Sequence, residues 1–375
     1  MVVRIDFVIT ELFVGGAERC LTELAIGCAE QGDRVRVASI GSLPTGIQAR
    51  FIDRLNAHGI EVFSANCDQS IQLLTARSRL RAWMKSDRPD VVQTMLYHAN
   101  LIGTMAARSA GIDVCVGGVR VAERSRIRSR LEAWAMNRMS AVVCVSDSVL
   151  RFVHQSRNTR TSLHIIGNSI DLAHVDAVPV VDWSMVSPAM KARGEQVLLF
   201  VGRLHPQKGL DVLLQTLPEL LKRYPEMRVV IVGDGPLREW LEEAALKFER
   251  ERVLMVGWRS DALSLMKGCR LLVLPSRYEG MPNVVMEAMA ASKPVAATRV
   301  EGISELLREG AIDQSCPPED SNAMFKLLVH LWGDPARSEL IGERNREIIA
   351  AHHSITAMVQ SYRDLYATLR QGLTR

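Results

Sequence analysis

The sequence predicts an α/β protein built from two doubly wound domains in series, each a parallel sheet covered by helices, facing a central cleft. Three observations carry this expectation. Short apolar runs of strand type alternate with segments of helical periodicity along the chain. The alternation lapses once, over residues 175–196, and then restarts. The length of 375 residues exceeds what one ordinary core holds and suits two domains.

The elements follow in order. VVRIDFVIT is a strand ending at the Gly15-Gly16 turn, and AERCLTELAIGCAEQG repeats apolar residues at helical spacing up to a glycine stop. VRVASI, IEVFSA, VVQTML and AVVCVS read as further strands, with helical patterns such as LLTARSRLRAWMK between them. In VDAVPVVDWSMVSPAMKARGEQ two prolines and lost periodicity mark a passage between domains. Beyond it, VLLFVG, RVVIVGDG, RVLMVG and RLLVLPS are buried-type strands, alternating with helices such as GLDVLLQTLPELLKRY and PLREWLEEAALKFER. The expected organisation is a first domain over 1–178, a linker over 179–195, a second domain over 196–350, and a final helix over 351–375 packing back on the first domain.

Composition narrows the class. Hydrophobic residues at 47% and charged residues at 23% exclude disordered, collagen-like and coiled-coil chains. No stretch approaches the roughly 18–20 apolar residues that span a bilayer, and Met1 to Thr10 lacks the basic start and cleavage site of a signal peptide, so a cytoplasmic location is expected. The cysteines at 20, 28, 67, 115, 144, 269 and 316 are scattered without a CxxC pair and read as reduced packing thiols. The net charge of +4 lies wholly in the first half, with 21 Lys+Arg against 17 Asp+Glu in residues 1–180. It gathers in VRVAERSRIRSRLEAWAMNR, where Arg120, Arg124, Arg126, Arg128, Arg130 and Arg138 face only Glu123 and Glu132. Such a run is either a solvated helix face or a patch meeting anionic lipid at the inner face of the membrane or an acidic acceptor. No nucleic-acid module accompanies it, and nucleic acid is not an expected partner.

Two segments carry chemistry. In VGRLHPQKG a buried strand delivers Arg203 and Lys208 at its carboxyl end, where ligands of doubly wound sheets lie. Fixed cations there stabilise a diphosphate leaving group, which gains charge as its bond to a sugar breaks. Taken alone, this spacing is also that of ordinary surface charges. In SRYEGMPNVVMEAMAASKPVAAT a strand ends at Pro275, a polar loop carries Glu279, and a helix opens near Pro282 with Glu287 inside it. Carboxylates accept from sugar and ribose hydroxyls, and helix-start N–H groups bind anions or hydroxyl oxygens.

VGRLHPQKG, VGDGPL, RYEGMPNVVMEAMAA and SKPVAAT together resemble the second domain of glycosyltransferase family 4, with its E-x7-E pattern and GT-B fold of two Rossmann-like domains. GGAE at Gly15–Glu18, LYHANLIG around His98, and NSID at Asn168–Asp171 resemble segments of that family's first domain, so nearly the whole chain is covered. The resemblance implies a retaining, metal-independent hexosyltransferase that takes a UDP- or GDP-sugar to a carbohydrate or lipid-linked acceptor in cell-surface polysaccharide or glycolipid synthesis. It makes the first domain acceptor-binding and the second the binder of the nucleotide sugar. Arg203 and Lys208 would hold the diphosphate, Glu279 and His98 the donor sugar, and Glu287 the ribose. Gly280, Met281, Pro282, Asn283 and Val284 would form the helix-start cradle, and the Gly15-Gly16 backbone would approach the phosphates or acceptor. The leaving phosphate would help take the acceptor's proton, so no protein nucleophile is implied. No cofactor is implied, and no D-x-D motif for a divalent metal is present. Ser169 departs from the family's turn by replacing a glycine, which puts a positive φ there in question.

Two rival readings fit parts of the sequence. RVVIVGDGPL resembles part of a dinucleotide motif, but Pro236 and Leu237 follow where a third glycine needs further spacing, and no acidic residue closes RVLMVG. A sugar-nucleotide epimerase or non-catalytic nucleotide-sugar binder of the same fold is the alternative to transfer.

Overall fold

The computed structural model describes residues 2–122, 126–157, 159–187, 190, 196–249 and 251–372. The chain divides into two compact units, Met1–Ser169 with Ile355–Arg375, and Ile170–Ser354. Among the described residues the first unit contains β1 (Arg4–Ile9), β2 (Arg34–Ser39), β3 (Glu61–Ser64), β4 (Val91–Met95), β5 (Val114–Val119), β6 (Ala141–Cys144) and β7 (Leu163–Ile165). Its helices are α1 (Gly16–Glu30), α2 (Arg50–Ala57), α3 (Leu73–Asp87), α4 (Tyr97–Ala110), α5 (Arg126–Met136) and α6 (Asp147–Ser156). The strands are all parallel, in the order β3-β2-β1-β4-β5-β6-β7. Winding therefore reverses between β1 and β4, and the carboxyl ends of these two neighbours are where a ligand crevice forms.

Central strands of such a sheet are covered on both faces, which is why β4 is buried at every position. The charge inside β1 is matched by its neighbour. Arg36 of β2 stands in register with Asp6 and donates to it twice, from Nε at 2.9 Å and Nη2 at 2.7 Å. Burial pushes the Asp6 carboxyl up to about 6, while the guanidinium pulls the other way. A one-residue slip would strand both charges, so the pair fixes register as well as contact. Strand β5, VCVGGV, was not anticipated because two glycines weaken the strand pattern. A Cβ on Gly117 would meet Met139 Sδ at 2.3 Å, so packing there requires the glycine.

The final helix, Ile355–Gly372, completes the first unit's core with Met358, Val359, Tyr362, Leu365 and Tyr366 against Phe7, Leu21 and Leu24. Tyr366 Oη donates to Gln93 Oε1 of β4 at 2.9 Å. Tyr362 Oη is buried without a partner among the described residues.

The second unit contains β8 (Val197–Val201), β9 (Arg228–Val232), β10 (Val253–Gly257), β11 (Leu271–Leu274), β12 (Val295–Thr298) and β13 (Ser315–Cys316). Its helices are α7 (Leu172–Ala177), α8 (Leu210–Arg223), α9 (Arg238–Ala245), α10 (Ala262–Gly268), α11 (Asn283–Ala290), α12 (Ile303–Leu307), α13 (Ala311–Gln314), α14 (Ser321–Gly333) and α15 (Pro335–His352). The sheet is again parallel, in the order β10-β9-β8-β11-β12-β13, and winding reverses between β8 and β11.

The change of unit falls earlier than the segment 179–195 read as a linker. Residues 170–187 belong to the second unit, where Ser264 Oγ donates to Pro179 O at 2.7 Å, Lys267 Nζ to Val175 O at 2.9 Å, and Trp183 Nε1 to Gly268 O at 3.0 Å. Prolines removed the periodicity, yet side chains of α10 satisfy the irregular carbonyls. Residues 188, 189 and 191–195 of that segment lie outside the described residues. The two places where the chain changes unit are neighbours, since Ile170 N donates to His353 O at 2.9 Å. Among the described residues no helix is long and apolar enough to cross a membrane.

The two core tyrosines give opposite expectations. Tyr366→Phe should cost about 1–2 kcal/mol, because Gln93 loses its buried partner. Tyr362→Phe should leave stability unchanged or raised, because it removes an unpaired buried hydroxyl. Urea unfolding of both variants checks this, and equal losses would contradict the assignment.

Candidate active site

In the second unit the sequence-predicted charges meet at the winding reversal. Strand β8 ends at Val201, and the chain passes Arg203 into a single helical turn at Pro206–Lys208. The next residue, Gly209, has φ 61°, and a Cβ there would lie 2.0 Å from Pro275 O at the end of β11. Only glycine permits that close approach and that left-handed conformation. The contact draws the turn against the β11 loop. Lys208 Nζ donates to Glu279 Oε1 at 2.6 Å, with side-chain exposures of 16% and 7%. Ser276 Oγ donates to the same oxygen at 2.6 Å.

Further bonds staple the two loops. Arg277 N donates to Gln207 O at 2.8 Å and Gln207 Nε2 to Tyr278 O at 2.9 Å. The Arg277 guanidinium grips Asp211 of α8 at 2.9 and 2.7 Å, and its pKa rises with that pairing. Arg203 is exposed, and its side chain makes no hydrogen bond or ion pair with another described residue. It is a cation available to a ligand.

Helix α11 opens at Pro282, which is its N-cap rather than its first helical residue. Gly280, Met281 and Pro282 are buried, and Asn283 and Val284 are half-buried. The first N–H groups of any α-helix lack intrahelical acceptors and carry the positive end of its dipole, so α11 adds partial positive charge beside Glu279. Glu287 lies in the second turn of α11 and is 8% exposed. Lys208, Glu279 and the start of α11 are thus assembled in one unit, with Arg203 at the β8 end of the same loop.

The first unit presents its own set at the β1/β4 reversal. The Gly15-Gly16 turn follows β1 and opens α1, with Gly15 as N-cap. A Cβ on Gly15 would lie 2.2 Å from Glu18 Oε2, so the glycine admits the Glu18 carboxylate, an internal reason that the sequence did not reveal. Glu18 is 7% exposed, and burial pushes its carboxyl up to about 7, with Glu11 adding to the rise and Arg120 opposing it. His98 is the second residue of α4, half-buried, its ring edge-on to Tyr97 at 5.0 Å.

Between β4 and α4 stands Leu96 at φ 74°, ψ 160°, a conformation costing an L-residue about 1–3 kcal/mol. Asn100 offsets it. Thr94 Oγ1 donates to Asn100 Oδ1 at 2.7 Å and Asn100 Nδ2 to Gly118 O at 2.9 Å, pinning α4 to β4 and β5. Asn100, Ser276 and Glu18 stand inside the motifs quoted above, but the sequence assigned none of them a role. A buried polar residue beside an apolar helical stripe was the available signal for Asn100.

One expectation is corrected. Arg120 does not belong to an exposed basic patch. It follows β5 and turns inward, donating from Nη1 to Asn168 Oδ1 at 2.7 Å and from Nη2 to Cys20 Sγ at 2.7 Å. The run of arginines crosses the end of a strand, so its first member points to the sheet's ligand end while later ones follow α5. Arg124 lies outside the described residues, as does the side chain of Arg126. Ser169 needs no positive φ and donates to Met358 Sδ at 3.3 Å. The cysteines are free and buried, and burial pushes those at 28, 144 and 269 up to about 12.

Two parallel α/β units with charged loops at both winding reversals define a GT-B fold. Residues 14–174 match the family model Glycosyltransferase Family 4, and residues 195–334 match the model Glycosyl transferases group 1. The chain belongs to the glycosyltransferases of GT-B type. It is 31% identical to an alpha-D-kanosaminyltransferase of Streptomyces kanamyceticus over 45% of each chain. It is 25% identical to a UDP-Gal:alpha-D-GlcNAc-diphosphoundecaprenol alpha-1,3-galactosyltransferase of Escherichia coli over 76% of each. The first of these alignments spans less than half of the relative's length. Among solved structures, Anabaena HepE in complex with UDP-glucose superposes with a TM-score of 0.83 at 22% identity, over 98% of this chain and 100% of that one. Sucrose-phosphate synthase from Thermosynechococcus elongatus gives 0.82 at 17%, with the same coverage.

The raised carboxyl of Glu18 sets a pH dependence. Its folded value of about 7 lies above the ordinary 4.5, so between these limits the folded state binds the proton that the unfolded state releases. Stability then falls as pH rises from 4.5 through 7, and the cost is complete above 7. Glu18→Gln, which stays neutral, should gain about 2–3 kcal/mol on wild type between pH 4.5 and pH 8. Urea midpoints at the two pH values test it, and a pH-independent difference would refute it.

Proposed function

We propose that the protein transfers a hexosyl group from a UDP- or GDP-sugar to an acceptor hydroxyl with retention of configuration and without a metal. The observation that carries the reading is the Lys208–Glu279 pair at the β8/β11 reversal, 2.6 Å apart and largely removed from water. Breaking a buried pair costs several kcal/mol unless each charge finds another partner. A nucleotide sugar supplies both: phosphate oxygens for Lys208 and sugar hydroxyls for Glu279.

Arg203 closes on the diphosphate as a fork, and the start of α11 adds aligned N–H donors. These charges oppose the negative charge that grows on the leaving diphosphate, which lowers the barrier because it develops in the transition state. Glu287 holds ribose and His98 the donor sugar, as the family resemblance implies. The leaving phosphate oxygen takes the acceptor's proton, so no protein nucleophile is used. One relative is an alpha-1,3-galactosyltransferase from UDP-Gal to alpha-D-GlcNAc-diphosphoundecaprenol, which supports a carbohydrate or lipid-linked acceptor in polysaccharide or glycolipid synthesis.

Arg203→Ala should lower turnover by about 10²–10³-fold with the melting temperature nearly unchanged, and Glu279→Gln should lower it as much in a folded protein of lower melting temperature, because Lys208 loses its buried counter-charge. Turnover should persist in excess chelator. Full activity in both variants, or loss in chelator restored by manganese, would sink the model, and an epimerised sugar nucleotide as product would identify the alternative chemistry. A thermal-shift panel of nucleoside diphosphates and their sugars identifies the base, since stabilisation follows affinity.

Peripheral contact with anionic lipid at the cytoplasmic face of the membrane belongs to the same reading. It rests on Arg130 and Arg138, the latter stacked over Trp134 at 3.9 Å, and on Arg128, over Tyr97 at 4.3 Å. Replacing the three by glutamine should abolish flotation with anionic vesicles; unchanged flotation counts against the contact.

A further inference from the structure

Glu279 is held more completely than its pairing with Lys208 requires. Lys208 Nζ and Ser276 Oγ both donate to Oε1, each at 2.6 Å, so that oxygen is committed twice. Oε2 makes no hydrogen bond with another described residue and is not sealed from solvent. The carboxylate is thus divided between an anchored oxygen and an open one.

Ser276 is itself fixed by the neighbouring strand. It is fully buried, and Thr298 Oγ1, at the end of β12, donates to its carbonyl and to Leu274 O, the latter at 3.5 Å. On the far side of Glu279, Gly302 has φ 77°, and a Cβ there would lie 1.9 Å from Gly280 O. The end of β12 and the loop after it therefore seat residues 276–280 at both ends, and only glycine admits the second seat. The hydroxyl of Ser276 has one proton, spent on a carboxylate that Lys208 already neutralises, so it adds nothing to the charge balance. What it adds is direction. Lys208 is a mobile point charge on a long stem, whereas a short serine side chain on a pinned backbone keeps one geometry at small entropic cost.

We propose that Ser276 is a positioning residue for the donor sugar: it keeps Glu279 Oε1 in place when the donor's diphosphate draws Lys208 away, so that Oε2 stays turned to a sugar hydroxyl. This rests on the transferase reading above. In the free protein two donors share the task, and with the nucleotide sugar bound Ser276 alone performs it. Its hydroxyl therefore matters to the sugar and not to the nucleoside diphosphate.

The test is calorimetric titration of the full chain with UDP, GDP, UDP-glucose, UDP-galactose and GDP-mannose, in wild type, Ser276→Ala, Glu279→Ala and the double variant. Ser276→Ala keeps the Lys208–Glu279 pair and should fold. It should weaken the sugar nucleotide that wild type binds by about tenfold, as the loss of a charge-assisted hydrogen bond implies, and change the affinity for the parent diphosphate by less than about threefold. In the Glu279→Ala background the same substitution should change sugar-nucleotide affinity by less than about twofold, because Ser276 then has nothing to hold. A merely structural serine would loosen Lys208 and the start of α11 along with Glu279, and its loss would weaken diphosphate and sugar nucleotide alike. That outcome overturns the proposal, as does wild-type affinity in Ser276→Ala, a loss of about tenfold that persists without Glu279, or a wild type that binds a diphosphate but none of the sugar nucleotides. A wild type that binds neither UDP nor GDP indicts the transferase reading instead, and the role of Ser276 falls with it.

Discussion

The close approach of Gly209 to the carbonyl of Pro275 is the constraint on which the second unit's site depends. It joins the loops of β8 and β11, the neighbours between which the winding reverses, and so converts a separation of 71 residues into a 2.6 Å contact between Lys208 and Glu279. Arg277 and Gln207 reinforce the junction on either side, which keeps two long side chains in one geometry at small entropic cost. In the proposed reading, charges preorganised in this way need little rearrangement when the nucleotide sugar arrives.

The first unit solves a related problem with different chemistry. Its reversal point carries a carboxyl held near neutrality, Glu18, an inward arginine, Arg120, and a strained residue, Leu96, ahead of His98. Strain at that position persists because Asn100 ties α4 to two strands at once. Buried charge away from the ligand end is paired, Asp6 in register with Arg36, Asp33 with Arg363 and Arg157 with Glu132, and the duty of these pairs is structural. The contrast separates groups satisfied within the fold from Arg203, whose side chain makes no hydrogen bond or ion pair with another described residue.

Local patterns misled wherever a run of residues crossed an element boundary. Arg120 was grouped with arginines downstream of it because charge is counted along the chain, whereas the end of β5 turns it inward. Residues 170–187 lost their periodicity to proline, yet α10 binds their carbonyls and they belong to the second unit. Strand β5 hid behind two glycines whose reason for being there is the sulfur of a methionine in another segment.

By itself the sequence determined the alternation of strand and helix, and with it two parallel sheets whose ligands lie at the carboxyl ends of strands. It also determined which charged residues stand at those ends, because strand termini and helix starts leave local marks that survive without a partner: Arg203 after VLLFV, Glu279 after RLLVLPS, Gly15 before α1. The tertiary structure alone decided which of these charges meet, because such contacts depend on strand order and on backbone approaches that no local period encodes. Lys208 finds Glu279 through Gly209, Glu18 folds onto Gly15, and Arg120 finds Asn168 and Cys20.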